Sequence, residues 1–111
     1  MDIQEQRHGA VTVIKPIGPL VQTDAEQFTH RLRDLAKERL GRVAVDSSAI
    51  PFVDSQALEG LVEVSEKMSQ SGQALKICGA NDTVREVLEL TNLAGLFEHF
   101  EDVNRAVRSF L

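Results

Sequence analysis

In the stretch "VAVDSSAIPFVDSQALEGL", residues 43–61, Asp46 closes an apolar run and Asp54-Ser55 stand eight residues later, where a second apolar stretch gives way to helix formers. Asp and Ser are favoured helix N-caps, and a cap contributes about 1 kcal/mol, which by itself accounts for both residues. A hydroxyl in the first turn of a helix is also presented to solvent. A phosphate placed on Ser55 would meet free backbone N–H groups and the positive end of the helix dipole, so the domain need not unfold to carry it. It would set nearly two negative charges beside Asp54 and near Asp46, repelling any partner that offers an acidic or apolar surface there. The chemistry these residues suggest is that of an electrostatic switch.

Other reactive residue types are sparse. There is no glycine-rich phosphate loop, no G-x-G-x-x-G, no H-E-x-x-H and no G-x-S-x-G. His8, His30 and His99 are far apart among polar neighbours and read as surface residues. Cys78 ends an apolar run and reads as a small buried hydrophobe. A lone cysteine allows no intrachain disulfide and falls short of a zinc cluster, which suits a reducing compartment. No catalytic residue, metal or cofactor is expected. Asp46, Asp54 and Ser55 lack a neighbouring His or Lys base, and an enzyme would need the fold to bring one, such as His99 or Lys76, against Ser55.

The elements that position these residues alternate between strand and helix patterns. Ile3 to Ile17 reads as two strands around Gly9, the better one being the β-branched "AVTVIKPI". Thr23 and Glu26 have capping-box spacing, Phe28, Leu32, Leu35 and Ala36 recur at helical spacing, and Gly41 stands where a left-handed cap belongs. "RVAVD" reads as a central strand buried on both faces. A helix from Ser55 to about Gln70 follows, with Leu58, Leu61, Val62 and Met68 as its apolar stripe. "ALKIC" reads as a strand, Asn81 or Asp82 as the cap of a short helix, "LFEHF" as a last short strand and Asp102 as the start of a final helix. The prediction is an α/β fold: one domain over residues 1–111, a mixed four- to five-stranded sheet and about four helices.

Composition sets the outer bounds. With 111 residues, 42% hydrophobic and 26% charged, the chain suits one globular domain with a real core. No apolar run approaches the roughly 20 residues of a membrane helix, and "MDIQEQRHGA" lacks the apolar centre of a signal peptide, which predicts a cytoplasmic protein without membrane insertion. A net charge of −5 argues against nucleic acid as the ligand and for a protein partner.

The order "IGPL", amphipathic helix, "VAVDSSAIPFVDSQALEGLVEV", "ALKICGANDTVREVLELTNLAGLFEHF" and final helix resembles the STAS domain, shared by bacterial anti-sigma factor antagonists and sulfate transporter tails. In the antagonist branch, the serine of the Asp-Ser pair is phosphorylated by a kinase that is itself the anti-sigma factor, and phosphorylation ends their binding. The resemblance implies Ser55 as phosphoacceptor, Asp46 as supporting acid, and a partner surface of Asp54, Ser55, Gln56, Glu59 and Ser48 in the 47–51 loop. The implied partner is an anti-sigma factor with serine kinase activity, and the implied role is a binding switch rather than an enzyme. Gln56-Ala57 replaces the family's usual Ser/Thr-Gly after Asp-Ser, and Val21 replaces a common acid. Other branches act as non-phosphorylated scaffold subunits of a transporter ATPase or signalling complex, and nucleotide binding has been proposed for some.

Overall fold

The computed structural model describes residues 1–111. Five strands, β1 (Asp2–His8), β2 (Val11–Ile17), β3 (Val43–Asp46), β4 (Lys76–Cys78) and β5 (Glu98–Phe100), form one sheet in that order. β1 pairs antiparallel with β2, and the other three pairings are parallel. The helices are α1 (Gln22–Glu38), α2 (Ser55–Ser69), α3 (Asp82–Leu90) and α4 (Val103–Arg108), with a 3-10 turn at Ala94–Leu96 before β5. The expected mixed α/β sheet is present, and the hairpin turns at Gly9, where φ is +65°.

Strand periodicity sorts the helices between the two faces. Ile14, Val45 and Ile77 stand in register across β2, β3 and β4 and belong to the main core with Phe28, Leu32 and Leu35 of α1, Leu61, Val64 and Met68 of α2, and Val84 and Leu88 of α3. The alternate positions Ala44 and Cys78 face the other way and pack against Ala106 of α4. Their small side chains let that helix lie close to the sheet. Every residue of β3 is buried, as a strand covered on both faces requires.

Helices α1 and α2 run side by side in the same direction. Glu26 meets Gln56 near their starts, and Arg33 meets Glu63 further along. Between those pairs they touch at Thr29 and Gly60, where a Cβ on Gly60 would lie 2.0 Å from Thr29 Oγ1. A glycine is required there by space, not by backbone conformation.

Three local expectations are corrected. The Thr23–Glu26 capping box does not form: α1 already begins at Gln22, its N-cap Val21 has no capping side chain, and Glu26 instead accepts from Gln56 Nε2 at 2.7 Å. At the other end of α1 the left-handed residue following the cap is Leu40 (φ +54°), with Gly41 (φ +83°) one position beyond. Gly41 N–H reaches the Ala36 carbonyl and Leu40 N–H the Lys37 carbonyl, so the closure is of the Schellman type. In α2 the buried stripe is Ala57, Gly60, Leu61, Val64, Ser65 and Met68, while Leu58 and Val62 are only half-buried, because contact with α1 rotates the inward face toward Gly60. In α3, Leu90 projects into solvent at 79% exposure.

Candidate functional site

The site lies at the carboxyl ends of the parallel strands, where three loops converge. The β2–α1 turn and the β3–α2 loop are zipped together by backbone: Gly18 N–H donates to Ala49 O, Leu20 N–H to Phe52 O and Asp54 N–H to Leu20 O, over 3.0 to 3.2 Å. Leu20 and Ile50 are buried beneath this strip and hold its register. The third loop joins through Asn81, whose amide Nδ2–H donates to Ile50 O at 2.7 Å while its Oδ1 caps α3 by accepting Val84 N–H at 2.9 Å.

Asp54 does the equivalent work for two helices at once. Its Oδ1 accepts the Ala57 N–H of α2 at 2.9 Å, and its Oδ2 accepts the Gln22 N–H of α1 at 2.8 Å. A helix N-terminus leaves backbone donors unpaired, and one carboxylate here serves two such ends. Gln22 is held at φ +50°, an uncommon conformation for a residue with a side chain, which turns its N–H toward that carboxylate. The N–H groups of Ala57 and then Gln22 hold the Asp54 carboxyl below its ordinary 3.8. The spacing of Asp54 before α2 announced the first bond. The second joins residues 32 apart in sequence and had no local signal.

Since Asp54 caps α2, Ser55 occupies the first helical position with its side chain exposed. Gln56, Glu59 and Ser48 are also exposed, although Gln56 is tied to Glu26. A shallow polar depression of about 240 Å³ between the first halves of α1 and α2 is lined by Glu26, Glu59 and Glu63 together with His30 and Arg33. Phe52 stands 51% exposed two residues before Asp54. An apolar ring between Pro51 and Val53 was its only sequence signal.

Asp46 takes a different role from Asp54. Its carboxylate is buried, its Oδ1 accepts Ser48 N–H at 3.0 Å, and it makes no hydrogen bond to Asp54 or Ser55. Gly79 lies against it: a Cβ there would come within 3.0 Å of Asp46 Oδ1, and φ is +66°. Cys78 is fully buried, and burial, with the Asp46 charge second, pushes its thiol up to about 12. The side chains that an enzymatic reading needed lie elsewhere. Lys76 Nζ sits over the Phe110 and Phe100 rings and bonds Ser109, while His99 Nε2–H donates to Ala94 O. No three His, Cys, Asp or Glu side chains converge as metal ligands. No helix is long and apolar enough to cross a membrane.

Similarity to known proteins agrees with this architecture. The fold is similar to a Thermotoga maritima protein provisionally named an anti-sigma factor antagonist, with a TM-score of 0.85 and 23% identity over 96% of this chain and 92% of that one. An anti-sigma factor antagonist from Mycobacterium paratuberculosis gives 0.83 at 18% identity over 97% and 92%. The phosphorylated form of the Bacillus cell fate determinant SpoIIAA gives 0.74 at 14% identity over 99% and 100%. No curated protein matches in sequence. The STAS domain pattern matches residues 2–106, which takes in all five strands and the capped Asp54-Ser55 junction, and the chain therefore belongs to the STAS domain family.

Proposed function

We propose that this protein is a regulatory binding module of the anti-sigma antagonist type, which binds an anti-sigma factor with serine kinase activity while unphosphorylated and is released when Ser55 is phosphorylated. One observation carries the reading: Asp54, and not Ser55, caps α2, which leaves the Ser55 hydroxyl exposed at the first position of a fifteen-residue helix. In the proposed step, Ser55 Oγ attacks the γ-phosphorus of the kinase's ATP, the serine proton leaves, and ADP departs. The product gains a charge of about −2 beside an Asp54 carboxylate already engaged by two backbone donors. The acids lining the neighbouring depression add to the repulsion of an acidic partner surface. The contact surface is Asp54, Ser55, Gln56, Glu59 and Ser48, with Phe52 as an apolar anchor and Asp46 as the acid that shapes the loop beneath it. That SpoIIAA keeps a similar fold in its phosphorylated form supports a switch without unfolding.

The Gln56–Glu26 bond favours a second reading, a constitutive scaffold subunit of a transporter ATPase or signalling complex, because it engages the residue that follows Ser55. Intact mass after co-expression with a candidate serine kinase separates the two. Gain of one phosphate in wild type and none in Ser55→Ala, with Ser55→Asp losing the partner and Ser55→Ala keeping it, is the expected result. No phosphate with an active kinase, or equal binding by both variants, would overturn the switch.

A further inference from the structure

The α1–α2 layer carries a second feature at the end away from Ser55. An open groove of about 340 Å³ runs between the C-terminal halves of the two helices. Ala36, Val64 and Met68 form its floor, Leu40 its end wall, and Lys37 and Lys67 its rim. Neither lysine has a carboxylate within 4.0 Å, in a chain whose net charge is −5. Cations in the last turn complement the helix dipoles, which explains the charge but not the leucine.

Leu40 is 67% exposed and held in the left-handed conformation, where glycine or asparagine is the ordinary choice. Its N–H donates to Lys37 O and its carbonyl accepts Gln73 Nε2–H at 2.7 Å, so the exposed side chain stands on a fixed backbone. A strained residue presenting an apolar group to water is a feature that function explains better than folding.

We propose that this groove seats an acidic amphipathic helix from a protein partner, with an apolar side chain against Leu40 and Ala36, above the floor closed by the buried Val64 and Met68, and carboxylates facing Lys37 and Lys67. Ala36, in the last turn of α1, and Leu40, just past its cap, offer the accessible apolar surface, and Val64 and Met68 of the core close the floor beneath them, in a trough between two parallel helices that a third helix fits. The stretch from Arg33 to Leu40 spans about 10 Å, or two helical turns. A membrane surface is disfavoured, because two free lysines on an acidic chain fall short of the roughly four to eight that hold a protein to anionic lipid. The proposal is independent of the role given to Ser55.

The test uses a labelled peptide of about sixteen residues, long enough to be helical, with leucines at i, i+4 and i+7 flanked by glutamates. A second peptide carries lysine for every glutamate, and binding is read by fluorescence anisotropy. The glutamate peptide should bind, more weakly as salt rises, and the lysine peptide should not. Leu40→Asn should weaken binding by at least about tenfold without lowering the melting temperature, since asparagine tolerates this backbone. Lys37→Gln with Lys67→Gln should remove the salt dependence. Equal binding of the two peptides, no binding at millimolar peptide, wild-type affinity in Leu40→Asn, or binding to phosphatidylglycerol vesicles through the same lysines in place of the peptide would overturn the proposal.

Discussion

The two ends of the α1–α2 pair are closed by opposite means. At the N-terminal end, unpaired backbone donors need acceptors, and the loops supply a carboxylate, Asp54, that serves both helices. At the C-terminal end, unpaired carbonyls need donors: the Gly41 and Leu40 N–H groups and the Gln73 amide supply them around α1, and the Gln73 N–H reaches Met68 O of α2. Acceptor demand brings the Asp54 carboxylate to one end, whereas donor demand at the other is met by backbone and amide N–H groups, and there Lys37 and Lys67, each beside a glutamate in sequence, stand with an exposed leucine. The two ends therefore suit different partners, although they belong to the same helices.

Wedging the waist between the two ends should have the largest effect. Gly60→Val puts methyl groups where Thr29 already sits, and should destabilise the fold by about 1 to 3 kcal/mol in denaturant titration. A wild-type midpoint would mean that the helices separate freely and that the ends are not mechanically joined.

Asp54→Asn should act more locally. The amide keeps one acceptor oxygen but turns an NH2 toward one of the two N–H groups, so hydrogen exchange should quicken at Gln22 or Ala57 and stay slow across Leu32 and Leu35. The same residue sharpens the acid response. A carboxyl held below 3.8 in the folded chain takes up its proton less readily there than in the unfolded chain. Its stabilising contribution is complete above about pH 4 and is lost as the pH falls through the folded value. Glu5, lowered from 4.5 by its hydrogen bond to Arg31, acts in the same window. Melting temperatures between pH 2 and pH 5 should fall less steeply in Asp54→Asn than in wild type; parallel curves would remove Asp54 from the acid response.

The smallest effect is expected at Cys78, on the far face of the sheet from both ends. Fully buried and with its thiol raised to about 12, it should react with iodoacetamide only as fast as the fold opens. Gly60→Val should quicken that reaction in step with its lost stability. Fast alkylation of the native protein would show that α4 opens independently of the α1–α2 layer.

Sequence by itself determined the order of elements, the all-buried β3, the start of α2 at Ser55, the Asp102 cap and the buried Cys78, and narrowed the α3 cap to Asn81 or Asp82, because each follows from local spacing, apolar periodicity or a cap next to its own helix. Only the tertiary structure decided that Asp54 reaches Gln22, that Asp46 turns to Ser48 and Gly79, that Glu26 leaves its capping box for Gln56, and that Phe52 and Leu40 stand in solvent. The Asp54–Gln22 and Gln56–Glu26 bonds join residues 32 and 30 apart, Asp46 meets Gly79 from another loop while turning to nearby Ser48, and Phe52 and Leu40 are apolar side chains without a cover. A backbone donor can be satisfied by any acceptor within reach, and which acceptor comes within reach is set by how the buried residues of the sheet and helices pack.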